Sequence, residues 1–302
     1  MANVHRGFLG ALKQYTIMQT QDRALPHKIL TMSQPQRLFE SDPRRRPKPH
    51  TFRPPKLNRV VTALCKFCLP WILRRDLKVV QVDIDASDLE KLRALTGTRC
   101  LLLPSHSGGF EPHIIIHLSK QLHENFHYLA AMEVFEKNFF HGWFLQRMGA
   151  YSIIRGTADR QSFVMTKRLL VEGERWLVIF PEGQTVWQND TVIPFQEGVI
   201  QLAFKAYEEI ARTDPDAALH CVPISIKYVY IENMDWAIEE SLTRLKSHLL
   251  PPGSHTGKTC HERLRDVSEA VLKANEKKHG VCPESEDARD DRIQRMKENI
   301  IR

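Results

Sequence analysis

Long apolar runs are missing from this 302-residue chain. Nowhere do eighteen uncharged apolar residues follow one another, so a conventional transmembrane helix is not expected. The opening residues, Met1-Ala2-Asn3-Val4-His5-Arg6, lack the apolar run and small-residue cleavage site of a secretory leader. Cysteine is scarce as well. Six cysteines scattered through a chain of this length do not form a disulfide framework. The single C-x-x-C, Cys65 and Cys68, has no second pair or nearby histidine to complete a zinc site, and both are expected on one face of a helix. No internal repeat, nucleic-acid motif or aromatic-interleaved basic face is present, so nucleic acid is not an expected partner. What is present, 42% hydrophobic and 26% charged residues, describes a globular chain able to bury a substantial core.

The net charge of +7 is unevenly placed. Residues 1–60 hold twelve Lys or Arg against Asp22, Glu40 and Asp42, a balance of +9, which leaves the remainder at −2. The basic excess therefore belongs to an N-terminal arm and not to the globular body. Within it, Ser41 to Lys56 (SDPRRRPKPHTFRPPK) is a proline-rich linker that cannot be helical. Next, Leu57, Val60, Val61, Leu64, Cys68, Trp71 and Ile72 recur at spacings of three and four, with Arg59, Thr62, Lys66 and Arg74 largely between them. This predicts an amphipathic helix with a basic polar side, ending near Pro70. An ordinary helix packed on a core would show the same periodicity; the adjoining basic arm favours a membrane-surface helix attracted to anionic lipid.

From Leu77 onward strand and helix patterns alternate. Strands are expected at Lys78–Ile84, Arg99–Pro104, Phe126–Ala131, Tyr151–Ile154 and Trp176–Phe180, with one or two more across Leu219–Tyr230. Helices are expected at Ser87–Leu95, Pro112–Leu122, Glu133–Met148, Asp159–Val171 and Glu197–Ala211. The alternation predicts an α/β fold with a mostly parallel sheet flanked by helices. Four segments result: an arm and linker (1–56), the amphipathic helix (57–75), an α/β core (76–232), and a helical extension with a charged tail (233–302).

In open α/β sheets ligands collect beyond the carboxyl ends of the strands. Two of the most apolar strands end in polar, glycine-bearing turns: RCLLLP runs into Ser105-His106-Ser107-Gly108-Gly109-Phe110-Glu111, and WLVIF into Pro181-Glu182-Gly183-Gln184-Thr185. A histidine followed five residues later by a carboxylate occurs three times, at His106/Glu111, His261/Asp266 and His279/Glu284, so spacing alone selects none of them. On a continuous helix such residues point roughly 140° apart and cannot meet. His106/Glu111 has a glycine pair, Gly108-Gly109, to bend the chain between its members at the end of a buried strand, whereas the other two pairs lie in the polar C-terminal part. A histidine whose ring N–H is held by a carboxylate is a candidate general base, and a glycine turn opening a helix offers N–H groups to an oxyanion. A structural histidine capped by its neighbours would read the same way. Ser105 or Ser107 could serve as a nucleophile, although neither lies in a G-x-S-x-G elbow. His113 and His117 have a metal-ligand spacing but lack the glutamate of H-E-x-x-H, and packing or surface roles are expected for them.

Taken in order, LLLPSHSGGFEP, MGAYSIIRG, VIFPEGQT and CVPISIKY resemble the four sequence blocks of the glycerophospholipid acyltransferase family, typified by lysophosphatidate acyltransferases, over about Leu77 to Tyr230. The resemblance implies a peripheral membrane O-acyltransferase of phospholipid biosynthesis on the cytoplasmic face. It implies His106 and Glu111 as the catalytic pair, acyl-CoA or acyl carrier protein as the thioester donor, a lysolipid or glycerol-phosphate-type acceptor, and neither a metal, a cofactor nor an acyl-enzyme. Arg155, Glu182, Gly183, Gln184 and Thr185 would match acceptor-binding positions, with Pro223 shaping the pocket. An arginine at a strand end suits a phosphate fork. Glu182 is expected to orient that arginine or a sugar hydroxyl. The chain departs from the family text at Glu111, where Asp is usual, at Ser105, where Asn is frequent, and at Gln184-Thr185, where a small residue and Arg are common. The changes at Glu111 and in the glycine block motivate a competing reading, a catalytically silent lipid-binding or scaffolding relative; a serine-dependent esterase using Ser105 or Ser107 is a third.

Overall fold

The computed structural model describes residues 15–19, 51–185, 187–249, 259–281 and 289–301, the first of these as backbone only. Most of the basic arm and its linker thus lies outside the described residues. Two compact units result, one up to Ile231 and one from Glu232 onward.

The strands of the first unit are β1 (Tyr15–Gln19), β2 (Val79–Asp83), β3 (Arg99–Pro104), β4 (His127–Ala131), β5 (Ala150–Ile153), β6 (Leu177–Val178), β7 (Leu219–Ile224) and β8 (Ile226–Tyr230). Its helices are α1 (Arg59–Arg75), α2 (Ala86–Ala94), α3 (Glu111–Gln121), α4 (Met132–Phe135), α5 (Phe139–Arg147), α6 (Arg160–Glu172) and α7 (Glu197–Thr213). Five strands form a wholly parallel sheet in the order β5-β4-β6-β3-β7, and β2-β1-β8 form a smaller mixed sheet. The parallel α/β architecture expected from the alternation is the one observed.

Parallel strands are covered on both faces, and the period-two alternation of β3 divides its side chains between two cores. Leu102 joins Ile114, Ile115 and Leu118 of α3 and Leu69 and Leu73 of α1 on one face. Leu101 joins Tyr151, Leu169 and Leu170 of α6, and Ala203 and Ala206 of α7, on the other. Burying each such leucine contributes about 1.5–3 kcal/mol, so the central strand is anchored from both sides. In register, Leu101 and Leu102 of β3 face Leu177 and Val178 of β6. The two polar turns that follow these strands therefore emerge side by side at one end of the sheet.

Helix α1 does not end at Pro70 but continues to Arg75, with Pro70 inside it. A proline there removes one backbone hydrogen bond; burial of Leu69 and Leu73 on either side holds the helix through the defect. Lys66 is not on a solvated polar face either. Its Nζ turns inward to donate to the Ser119 carbonyl (3.4 Å), the Glu124 carbonyl and Asn125 Oδ1 (2.9 Å), tying α1 to the end of α3. With Thr62, Leu69 and Leu73 packed inward, an opposite apolar stripe of Val60, Leu64, Phe67 and Trp71 is left exposed. The helix expected across Glu133–Met148 is two helices, because Asn138 starts a new one by accepting the His141 N–H on its side chain. The resulting α5 adjoins the start of α1 through Lys56 N–H to Gln146 O and Asn58 N–H to Arg147 O, each 2.9 Å.

The second unit contains α8 (Asp235–Leu249), α9 (Cys260–His279) and α10 (Arg289–Ile301). Thr259 and Glu262 form a reciprocal cap at the start of α9, and Arg292 of α10 grips both carboxylate oxygens of Glu276 at 2.7 and 2.8 Å.

Candidate active site

Beyond Pro104 the chain leaves β3 and turns at Ser105–Phe110 before α3 begins at Glu111. Gly109 makes the bend with φ of +80°, a left-handed conformation that disfavours a side chain. Gly108 is needed for space: a Cβ there would lie 2.9 Å from Cε2 of Tyr228. The bend folds the Glu111 side chain back, and its Oε2 meets His106 Nδ1 at 2.8 Å. The structure thus brings together the His/acid pair that has the Gly108-Gly109 bend between its members.

Glu111 is fully buried, and its other oxygen is equally occupied. Oε1 accepts from the Gly108 N–H (2.5 Å), the Tyr228 hydroxyl (2.9 Å) and the Ser107 hydroxyl (3.4 Å). Burial pushes the Glu111 carboxyl up, but the hydrogen bond from His106, the backbone N–H, the His106 charge and the Tyr228 hydroxyl together outweigh it, and the net direction is down. The ionised carboxylate can only accept, so in a neutral His106 imidazole the proton lies on Nδ1 and the lone pair on Nε2. Burial, then the Glu111 charge and hydrogen bond, push the Tyr228 phenol well above its ordinary range, so it stays a donor. His106 also rests against Phe180, ring centroids 4.5 Å apart.

The neighbouring turn after β6 meets this pair from the side. Glu182, nearly fully buried, accepts the His106 backbone N–H on Oε1 at 2.8 Å and the Ile193 N–H on Oε2 at 3.4 Å. Its carboxylate positions the His106 backbone, and of the two roles expected for it, orienting Arg155 or a sugar hydroxyl, the first is not seen: Arg155 bonds Gly183 and Glu133 instead. Thr185 contributes a hydroxyl 3.2 Å from His106 Nε2. Arg155, just past β5, donates to the Gly183 carbonyl at 3.3 Å and to Glu133 Oε1 at 3.4 Å, and its side chain is half exposed. Gln184 is exposed. The positions matched through the resemblance thus gather at the carboxyl end of the parallel sheet, from the ends of β3, β5 and β6.

Both serines considered as nucleophiles are engaged elsewhere. Ser105 Oγ accepts from the Ile226 N–H at 2.9 Å and donates to the Ile226 carbonyl, splicing β3 to β8, while Ser107 is buried and faces Glu111. His113 and His117 lie along α3 with half-buried rings, and burial lowers the pKa of both. Among the described residues, no three His, Cys, Asp or Glu side chains gather into a metal-holding group.

Three partners escaped the sequence reading. Tyr228 stands two residues after the buried Ile226 on β8, so strand alternation puts it on the same side; its contact with Glu111 depends on β8 lying beside the start of α3. Glu133, the partner of Arg155, is in α4, which was expected to be part of a longer helix. The contact of Thr185 with His106 Nε2 has no signature in the sequence.

Residues 83–227, which hold every residue of the site except Tyr228, match the family model described as Acyltransferase, that of the glycerophospholipid acyltransferases. No curated protein matches the chain in a sequence search.

Proposed function

We propose that this acyltransferase moves a fatty acyl group from an acyl-CoA or acyl carrier protein thioester to a hydroxyl of a lysophospholipid or glycerol-phosphate-type acceptor. The observation that supports this most directly is the 2.8 Å contact of His106 Nδ1 with the buried Glu111 carboxylate, with Nε2 facing a hydroxyl on its other side. In the proposed step the acceptor hydroxyl takes the place of the Thr185 hydroxyl at Nε2. As the acceptor oxygen bonds to the thioester carbonyl carbon, its proton passes to His106, whose imidazolium is stabilised by Glu111. The C–S bond then breaks, and the leaving thiolate takes that proton. The thioester is the activated donor, so the scheme uses no metal or prosthetic group.

Arg155 is the candidate phosphate ligand. Its two contacts, at 3.3 and 3.4 Å, are long for a guanidinium, so it can exchange them for a phosphate fork. Membrane attachment is part of the same proposal. The exposed stripe Val60, Leu64, Phe67 and Trp71 on α1, with Phe139, Phe140 and Trp143 exposed on adjoining α5, offers apolar and aromatic surface to a bilayer. Arg75 lies over the Trp71 ring and Arg147 over the Trp143 ring, pairing cation with aromatic as headgroup-level residues do. No helix among the described residues is long and apolar enough to cross a membrane. The basic arm would add attraction to anionic lipid on the cytoplasmic face, about 1 kcal/mol per Lys or Arg within reach.

The test is thiol release from palmitoyl-CoA by purified full-length protein, with and without lysophosphatidate, other lysolipids and glycerol 3-phosphate. Release that rises with one of these acceptors and yields the acylated product supports transfer. Absence of any acceptor-dependent release and product would overturn the proposal, in favour of a hydrolase where thiol is released without acceptor and of a silent lipid-binding relative where none is released.

A further inference from the structure

The hydroxyl nearest the proposed base belongs to the protein. Thr185 Oγ1 lies 3.2 Å from His106 Nε2, and His106 Nδ1 lies 2.8 Å from Glu111 Oε2. In the neutral imidazole, with the proton on the Nδ1 that faces the carboxylate, the Thr185 hydroxyl is the donor to Nε2. Hydroxyl, imidazole and buried carboxylate in this order form a nucleophile–base–orienter relay, recognised by geometry and not by sequence position.

Several features favour this hydroxyl over the others nearby. The Ser105 and Ser107 hydroxyls are committed to Ile226 and Glu111. Among the described residues, the Thr185 side chain makes its hydrogen bond to His106 alone. Its backbone follows directly on a fixed turn: Gly183 takes a left-handed φ of +71°, and buried Glu182 is bonded to the His106 N–H. Thr185 Cγ2 also comes within 3.9 Å of where a Cβ on Gly109 would be, so the reacting oxygen lies beside the glycine turn that opens α3.

We propose that Thr185 is a nucleophile and that the site has a second activity, hydrolysis of acyl thioesters through an acyl-Thr185 ester when no acceptor occupies Nε2. Thr185 Oγ1 bonds to the thioester carbonyl carbon while its proton passes to His106 Nε2. The C–S bond breaks, and the thiolate leaves as a thiol with that proton. Water then gives a proton to Nε2 and adds to the ester carbonyl; the acid departs and Thr185 recovers its proton. No oxidant or further reactant is needed. The inference rests on His106 being the base of an acyl-transfer site, and adds that the protein's own hydroxyl is the default acceptor.

The experiment uses full-length protein and palmitoyl-CoA without any acceptor, following thiol release and, after acid quench, the mass of the protein and its peptides. The expected result is continuous thiol release, with an acyl group on the peptide containing Thr185. That linkage should resist neutral hydroxylamine, as an oxygen ester does and a cysteine thioester does not. Thr185→Val and His106→Ala should each lower acceptor-free release by a factor on the order of 10², and Thr185→Ser should retain it, all with unchanged thermal unfolding. Acceptor-free release that persists in Thr185→Val, that is absent from the wild type, or that leaves the acyl group on another residue would overturn the inference. Adding lysophosphatidate separates the two claims. Acceptor-dependent transfer without any acceptor-free release removes only the role of Thr185, whereas transfer that survives in His106→Ala removes the base reading beneath it.

Discussion

Tyr228→Phe isolates one hydrogen bond of the catalytic constellation. The phenol oxygen donates to Glu111 Oε1 at 2.9 Å, whereas His106 is held by the other oxygen, Oε2. Phenylalanine keeps the ring, and with it the edge-on contact with Phe110 at 6.3 Å between centroids. Oε1 would still accept from Gly108 and Ser107, so the carboxylate is weakened but not orphaned. A hydrogen bond to a charged group contributes about 1.5–3 kcal/mol, and the variant should lose stability in that range at neutral pH. The pH dependence follows from the depressed Glu111 pKa. Stability from such a group is present above the unfolded carboxylate pKa, about 4.3, and is lost as pH falls through the folded value. Removing the Tyr228 donor raises that folded value, so the gap between wild type and variant should be widest near neutrality and shrink in acid. Activity should fall roughly tenfold, the equivalent of about 1.4 kcal/mol in the barrier, because the orienting bond to His106 survives. Urea unfolding across a pH series, paired with acceptor-dependent thiol release, measures both effects. Unfolding curves and rates that overlay those of the wild type at every pH would refute the reasoning.

Other perturbations have equally definite outcomes. Glu111→Gln should cost activity more than Tyr228→Phe does, since Gln cannot ionise and places an amide NH2 among four donors; Glu111→Asp should be impaired less, keeping the charge but withdrawing it by about one C–C bond (~1.5 Å). An equal loss in both would show that geometry, not charge, governs the pair. Arg155→Ala should chiefly raise KM for a phosphorylated acceptor and leave that for the thioester unchanged; equal damage with a neutral acceptor would make it a bracing residue. Leu64→Asp with Phe67→Asp should weaken binding to anionic vesicles at every salt concentration, whereas salt alone should reduce wild-type binding without abolishing it. Co-sedimentation that does not distinguish the two proteins would place any membrane surface elsewhere.

Much of the scaffold was legible because it is written in short-range periodicity. RCLLLP and the apolar face of α3 carry their burial in their own pattern, and the glycine bend singled out His106/Glu111 among three pairs of equal spacing. What was not legible depends on which segments become neighbours. Lys66 looks like a surface cation until α1 is placed against the carbonyls ending α3. Pro70 looks like a stop until Leu69 and Leu73 are seen buried on either side of it. Glu182 looks like a ligand-facing acid because its turn is polar, yet β3–β6 pairing sets it against the His106 N–H. Thr185 is 79 residues of chain from His106 and Tyr228 is 117 from Glu111, and no local pattern could join them to the pair.

The central claim is that His106, held by Glu111, is the base that activates a hydroxyl against an acyl thioester. Acceptor-dependent thiol release from palmitoyl-CoA by wild type and His106→Ala, with thermal unfolding recorded on the same samples, tests it most directly. The account predicts a fall on the order of 10² or more in the variant with the fold intact. A folded His106→Ala protein that turns over at near the wild-type rate would contradict it.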